Sequence, residues 1–421
     1  MNGVIEMKIK TDSVKGTFDI LPKDMELRNW IKNTIINAYT NNGFNQIETP
    51  SIENLDLLTK SEGGENLSLL FKILKRGGKL QKALGKENLE ENELCDLGLR
   101  YDLTLPLSRF YANNSNYLPK VFKSIQVGWV WRAERPQKNR FRQFTQCDID
   151  IIGEDTEIAE IDLITTTIEA LSNLNFDNLT IKINDRRILK NIVKFIGFDD
   201  SEFMGICITL DKRDKIGWEG VRKELLNKKI EEDKINQLID ILEKLTIDDL
   251  SKYKVDDEII NSLRNVINVV NNYSDKGFNI EFDITLIRGM GYYTGQVFEI
   301  VSNDINCSLA GGGRYDEMIG RFTNRKVPAV GFSIGFERIF NLLKERNNKT
   351  PKNNEKIAIL FNEKESIISV LKYAEELKEK GNIVSIFRKQ KKTKRQIDQL
   401  KEQGFDSFCI YENSKNLSNI E

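Results

Sequence analysis

Residues 129–153 read WVWRAERPQKNRFRQFTQCDIDIIG. Apolar segments at both ends flank a stretch carrying Arg132, Glu134, Arg135, Lys138, Arg140 and Arg142, a pattern that predicts two strands with a cationic loop between them. Guanidinium is permanently charged and forks onto phosphate oxygens, so such a loop suits a phosphate ligand. Glu134, Asp148 and Asp150 keep the patch from being merely basic, and mixed charge at this density points to a small polar ligand. A charged hairpin exposed to solvent is the plain alternative, and the rest of the chain decides between them.

On the N-terminal side, KGTFDILPKDMELRNWIKNTIINAY places Pro22 early in a helix and Leu27, Trp30, Ile31, Thr34, Ile35 and Ala38 at three- and four-residue spacing. Gly43 ends this amphipathic helix, and 44–48 reads as a strand stopped by Pro50. Residues 76–93 are polar and read as an exposed excursion, whereas 97–112 read as a strand leading through Pro106 into a helix. Beyond Gly153 a helix is expected over 158–172 and a strand over 179–183. A mainly helical insertion follows at about 187–275, its Lys and Glu runs forming solvated faces. Strands are expected at 282–288, 296–302 and 330–333, so the sheet begun near residue 44 is completed only after the insertion, which defines a mixed α+β domain over 1–346. A polar linker at 347–355 leads to 356–421, where strands at 356–361, 383–388 and 407–411 alternate with helices at 365–380 and 393–403, a small α/β domain.

A chain of 421 residues, 39% hydrophobic and 30% charged, fits a soluble protein of two or three domains. No leader-like segment or membrane-length apolar run is present, and the cytoplasm is the expected compartment. The five cysteines lie far apart without a CxxC pair, so we expect them reduced and mostly buried. With 63 basic and 64 acidic residues, any nucleic-acid surface must be local. The chain contains no histidine, which removes histidine triads, imidazole metal ligands and the usual general base. The chemistry is left to carboxylates, Arg, Lys, Tyr and Cys.

Three further segments stand out. TLIRGMGYYTGQVFEI sets Arg288, Tyr292 and Tyr293 among Gly289, Gly291 and Gly295, AGGGRYDEM carries Gly311 to Gly313 before Arg314, and GFSIGFERI puts Glu337 and Arg338 at a strand-to-helix passage. Singly, each has a structural explanation: glycine clusters mark turns or close approaches, and a tyrosine pair packs half-buried. Glu337 reads as a cap or partner within its own helix, Asp148 as a surface acid, and Arg135, Arg142 and Arg314 as framework salt bridges or ligand contacts.

Together and in this order, the segments resemble the class II aminoacyl-tRNA synthetases, and within them the histidyl-tRNA synthetase family. Residues 22–50, 121–150 and 329–340 look like the three class motifs, RGMGYYTG (288–295) and GGGRYD (311–316) resemble the two histidyl signatures, and LRYDLT (99–104) looks like the eukaryotic-like form. The resemblance implies an antiparallel sheet flanked by helices, with the helical insertion and a C-terminal anticodon-binding-like domain. It also implies activation of histidine with ATP and transfer to the 3′ end of its tRNA. Activation needs no protein base, because the attacking carboxylate is already an anion and catalysis rests on positioning and cations.

By the same resemblance, Arg132, Glu134, Arg140, Phe144 and Arg338 would bind ATP, with Arg132 on the α-phosphate, Glu134 on the adenine amino group, Phe144 against the ring and Arg338 on the γ-phosphate. Arg288 would oppose Arg132 across the transition state, and Arg132, Arg288 and Arg338 form the catalytic set. Asp102, Thr104 and Gln146 would take the α-ammonium, while Asp150 and Tyr293 would meet the imidazole nitrogens; Tyr292 would also line the histidine site or serve in packing. Mg²⁺ would bridge phosphates, its ligands unassigned. A homodimer through 23–42 is expected.

The chain departs from the resemblance in three places. Thr145 stands where many bacterial relatives carry His, and Asn139 where they carry Gly, positions bearing on the tRNA acceptor end. The C-terminal domain also stops short of the usual final strand and helix. Within it RKQKKTKR (388–395) holds six basic residues of eight at a helix start, where a phosphate partner would compensate the dipole. The alternative reading is a non-catalytic paralogue, a regulatory subunit of the phosphoribosyltransferase that opens histidine biosynthesis. A prolyl or threonyl type conflicts with RGMGYYTG.

Overall fold

The cationic stretch folds as an antiparallel hairpin in which Phe122–Trp131 pairs with Gln143–Ile152, from Phe122 opposite Ile152 to Trp131 opposite Gln143. The computed structural model describes residues 11–60, 68–86, 91–135, 141–273, 278–287, 293–305, 307–323, 325–346, 354–411 and 416–420. The two-residue period of the second strand sorts its side chains. Cys147, Ile149 and Ile151 enter the main apolar core, which turns Gln146, Asp148 and Asp150 to the opposite face. Asp148 is therefore buried rather than a surface acid, at 4% exposure. Gly153 closes the strand at φ 97, and a β-carbon there would lie 2.0 Å from the Lys120 carbonyl oxygen.

The hairpin belongs to an eight-stranded sheet ordered Asn45–Gln46, Phe122–Trp131, Gln143–Ile152, Ala329–Ile334, Cys307–Arg314, Gln296–Ser302, Leu179–Asp185 and Phe278–Phe282. The two outermost pairings are parallel and the interior ones antiparallel. Helix Pro22–Asn41, with Pro22 in its first turn, buries Leu27, Ile31, Ile35, Ala38 and Tyr39 on one stripe. Each large apolar side chain so buried contributes about 1.5–3 kcal/mol. The Tyr39 and Thr167 hydroxyls, 2.5 Å apart, tie this helix to Ile158–Ser172.

The insertion consists of helices Arg186–Ile196, Phe203–Leu210, Arg213–Asn227, Glu232–Lys244 and Asp257–Tyr273 with a 3₁₀ turn at Ile247–Tyr253. Its apolar stripes, such as Ile235, Leu238, Ile239 and Leu242, join the same core as the sheet. Gly197 ends the first of these helices in the left-handed conformation.

One expectation changes and two are narrowed. The strand expected at 282–288 lies instead at Phe278–Phe282, because Asp283 turns the chain by accepting from the Thr285 amide and hydroxyl at 2.9 and 2.5 Å. Of the turn and the close approach left open for Gly311 to Gly313, the structure takes the close approach: they form strand interior, and a β-carbon on Gly312 would meet the Gly331 oxygen at 2.0 Å. Residues 76–93 include two short helices, Gly78–Leu84 and Glu91–Leu94, beside a small sheet of Ile52–Asn54, Cys95–Leu99 and Lys72–Leu74.

The chain divides into units 1–346 and 347–421. In the second, Lys356–Phe361 lies between Ile383–Arg388 and Ser407–Ile410 in parallel, flanked in sequence by helices Ile367–Glu379 and Thr393–Glu402. Ser418–Asn419 adds a short antiparallel fourth strand where three were expected. No helix among the described residues is long and apolar enough to cross a membrane. None of the five cysteines is in a disulfide, and all but Cys307 are buried.

Candidate active site

A cavity of about 150 Å³ opens where the hairpin meets strand Ala329–Ile334. Its walls bring together Asp102, Thr104, Arg132, Gln146, Asp150 and Tyr293, six of the residues assigned from sequence. The face sorting along Gln143–Ile152 delivers Gln146 and Asp150, while Asp102 and Thr104 come from the entry to helix Thr104–Asn114, where Asp102 accepts from the Leu105 amide at 3.2 Å. Glu134, Phe144 and Arg338 are not among the lining residues. Arg140, Arg288 and Tyr292 lie outside the described residues.

The carboxylate end is built most firmly. Tyr315 donates its hydroxyl to Asp150 Oδ1 at 2.5 Å, and the other carboxylate oxygen is buried with no hydrogen-bond partner among the described residues. Gln146 Oε1 is in the same condition. Each such buried acceptor costs about 1–3 kcal/mol unless a donor reaches it, so the two suit a ligand bearing N–H groups. Gly331 makes the arrangement possible, since a β-carbon there would lie 2.3 Å from Asp150 Oδ1 and 2.8 Å from the Tyr315 ring.

Burial and then the neighbouring Asp148 charge hold the Asp150 carboxyl well above the usual range, against the lowering effect of the Tyr315 hydroxyl. Burial also pushes Asp148 up to about 6, opposed by the Ser333 hydroxyl and the Arg132 and Arg100 charges. Ser333 donates to Asp148 at 2.6 Å. Tyr315, Asp148 and Ser333 were not assigned to the site from sequence. The two-residue spacing from Asp150 was the available signal for Asp148 and the GGGRYD segment (311–316) that for Tyr315, whereas the Ser333 contact has no local signature.

The cationic end is more open. Arg132 is half-buried, donates from Nε to the Tyr101 carbonyl at 3.1 Å, and stands with its guanidinium carbon 5.1 Å from the Phe144 ring centroid. Arg338 is exposed in the first turn of helix Phe336–Glu345 and donates to the Ser308 carbonyl. The site thus runs from three acids, Asp102, Asp148 and Asp150, to an arginine, a polarity matched to a zwitterion whose ammonium and carboxylate point opposite ways.

The other arginines divide clearly. Arg314 is framework: it pairs with buried Glu160 through two 2.7 Å contacts and also reaches the Glu154 and Thr156 carbonyls. Arg142 donates to the Glu134 and Lys15 carbonyls, while Arg135 is exposed. Glu337 neither caps its helix nor pairs within it; its carboxylate takes both Arg28 nitrogens, at 2.6 and 2.8 Å, across 309 residues of sequence. The reason is geometric, since the first turn of its helix faces helix Pro22–Asn41 beside the hairpin.

The profile of the family described as Histidyl-tRNA synthetase matches residues 16–339. The histidine–tRNA ligase of Leifsonia xyli subsp. xyli is 38% identical over 411 residues, covering 94% of each chain. A probable histidine–tRNA ligase of Tropheryma whipplei is 40% identical over 415 residues, again with 94% coverage of each. Among solved structures, the histidyl-tRNA synthetase from Nostoc sp. PCC 7120 superposes with a TM-score of 0.79 at 26% identity, over 96% of this chain and 92% of that one. The ATP phosphoribosyltransferase regulatory subunit/histidyl-tRNA synthetase from Bacillus halodurans C shares the fold, with a TM-score of 0.76 at 20% identity over 96% of this chain and 99% of the other.

Proposed function

We propose that this chain, which belongs to the histidyl-tRNA synthetase family, is a histidine–tRNA ligase that activates histidine with ATP and transfers it to the 3′ end of its tRNA. The observation that carries the substrate assignment is the buried Asp150 of the cavity wall, fixed through one oxygen by Tyr315 with the other left without a hydrogen-bond partner among the described residues. A donor of fixed direction such as an imidazole N–H satisfies that oxygen, and an apolar side chain leaves it unpaired. Tyr293 on the same wall meets the second ring nitrogen. Asp102, Thr104 and Gln146 take the α-ammonium, which points the substrate carboxylate toward Arg132.

In activation a carboxylate oxygen attacks the α-phosphorus, forming the acyl–phosphate bond as the bond to the β-phosphate oxygen breaks and pyrophosphate leaves. Arg132 and Arg288, on either side, stabilise the charge that builds on the α-phosphate. Phe144 stacks on adenine, Glu134 accepts from its amino group, Arg140 assists on the phosphates and Arg338 holds the γ-phosphate. In the second step the ribose hydroxyl of the tRNA attacks the acyl carbon and AMP leaves. Among the described residues no group of three or more His, Cys, Asp or Glu side chains is placed to hold a metal. That fits Mg²⁺ held chiefly by substrate phosphates with one or two carboxylates or water, where it would neutralise phosphate charge.

The remaining assignments follow from the same reading. Exposed Leu21 and Met25 at the start of the first long helix support a homodimer through 23–42, for which solution scattering should give a two-chain mass; a monomer would refute the pairing. The tRNA anticodon is assigned to 356–421, with 388–395 on its phosphates. Cysteines outside any disulfide, all but Cys307 of them buried, support the cytoplasm. The catalytic reading is tested by ATP–pyrophosphate exchange, which should require histidine and collapse in Arg288→Ala. Absence of exchange with every amino acid would instead favour the regulatory paralogue, a reading opposed by retention of Arg132, Gln146 and Arg338.

A further inference from the structure

We propose that Arg28 and Glu337 are a positioning pair for the ATP side of the site, an inference that rests on the ligase reading. Arg28 is 3% exposed, and its guanidinium carbon lies 4.7, 5.2 and 5.4 Å from the rings of Phe336, Phe340 and Trp129. Within this apolar cage it grips both Glu337 oxygens and donates to the Thr145 hydroxyl at 2.9 Å. Glu337 Oε1 also accepts the Thr145 backbone N–H at 3.0 Å. Three elements far apart in sequence meet here: the first long helix, the hairpin, and the helix that carries Arg338.

The position of the Thr145 contact gives the pair its function. Strand Gln143–Ile152 pairs with Ala329–Ile334 only as far as Cys147 opposite Ile334. Beyond that point the neighbouring strand has ended, and the Glu337 carboxylate receives the N–H of Thr145. It thereby fixes the backbone between Phe144, assigned to adenine, and Gln146. Glu337 itself directly precedes Arg338, assigned to the γ-phosphate. The pair therefore sets the spacing between the adenine and γ-phosphate contacts, the two ends of a bent ATP, and Arg28 holds the carboxylate in the one orientation that serves both.

The imidazole end of the histidine pocket is held by other means, and of the ammonium contacts only Gln146 adjoins Thr145. Asp150 is fixed by Tyr315 and the bare backbone of Gly331, and Asp148 by Ser333; none of these contacts involves Arg28, Glu337 or Thr145. Loss of the pair should then separate the two substrates kinetically.

Removing one partner leaves a buried charge uncompensated, so Arg28→Met alone is expected to unfold readily. The informative protein is the Arg28→Met/Glu337→Met double variant, in which the aromatic cage still packs apolar side chains while the Thr145 N–H loses its acceptor. We expect its melting temperature to stay near that of the parent, its KM for ATP in pyrophosphate exchange to rise about 10- to 100-fold, and its KM for histidine to rise no more than about fivefold, through the neighbouring Gln146. Glu337→Gln, which keeps an acceptor for that N–H, should show a smaller rise. A double variant with parental KM for ATP would make the pair purely structural, and an equal rise in both KM values would remove the assignment to the ATP side. Calorimetric ATP binding to parent and variants reads the same split without turnover. A parent that shows no histidine-dependent exchange would overturn the ligase reading, while a calorimetric split would still support the pair.

Discussion

The two ends of the candidate site are built differently. At the carboxylate end Asp150 and Asp148 are buried, each held by a hydroxyl from a different strand or turn, and glycine backbone leaves room for them. At the cationic end Arg132 is half-buried and Arg338 exposed, and both are held by backbone carbonyls. The difference matches what each end must do. Distinguishing one amino-acid side chain from others needs buried polar groups that penalise a wrong partner, whereas binding a highly charged phosphate chain needs cations and open access. On the proposed reading, specificity is prebuilt at one end and charge stabilisation is supplied at the other.

Crossed substitutions break this comparison most strongly. Asp150→Ala should lower kcat/KM for histidine on the order of 10³-fold and leave KM for ATP nearly unchanged. Arg132→Ala should lower kcat about 10²- to 10³-fold, because its charge acts chiefly as the transition state forms. Pyrophosphate exchange with each substrate varied in turn checks both; similar losses on both axes in both variants would merge the two ends into one unit.

A smaller effect is expected from pH. Burial raises Asp148 to about 6 in the folded protein, whereas its unfolded counterpart sits near the ordinary value of about 4. The folded state then binds more protons in this window, so the contribution of Asp148 to stability is present below about pH 4 and is lost as pH rises through about 6. Asp150 is shifted the same way and extends the loss to higher pH. Urea midpoints from pH 4 to 7 should fall less steeply in Asp148→Asn than in the parent. Equal slopes would show that Asp148 is not desolvated.

Elements with a strong local period were legible in the sequence. Helix 158–172 and the strands at 296–302, 356–361 and 383–388 occupy the expected residues, because apolar spacing and turn chemistry act locally. The hairpin was legible too, as was the strand-to-helix passage that carries Glu337 and Arg338. What failed or stayed open depended on distant partners. The three glycines of 311–313 leave a turn and a close approach open until the neighbouring strand, 2.0 Å from a β-carbon on Gly312, decides for the close approach. Glu337 looks like a local cap until Arg28 arrives from 309 residues away, and Asp148 looks solvated until Ser333 covers it. Of the candidate site, the residues on the hairpin and at the start of helix Thr104–Asn114 were within reach, Tyr315 lay inside a segment already singled out, and the Ser333 hydroxyl that orients Asp148 was not within reach.

The most direct measurement is made on Gly331→Ala, which adds one methyl group within 2.3 Å of Asp150 Oδ1 and touches no residue assigned to ATP. The account predicts a folded protein whose KM for histidine in pyrophosphate exchange rises on the order of 100-fold while KM for ATP stays within about twofold. An unchanged KM for histidine, or an equal rise in both constants, would contradict it.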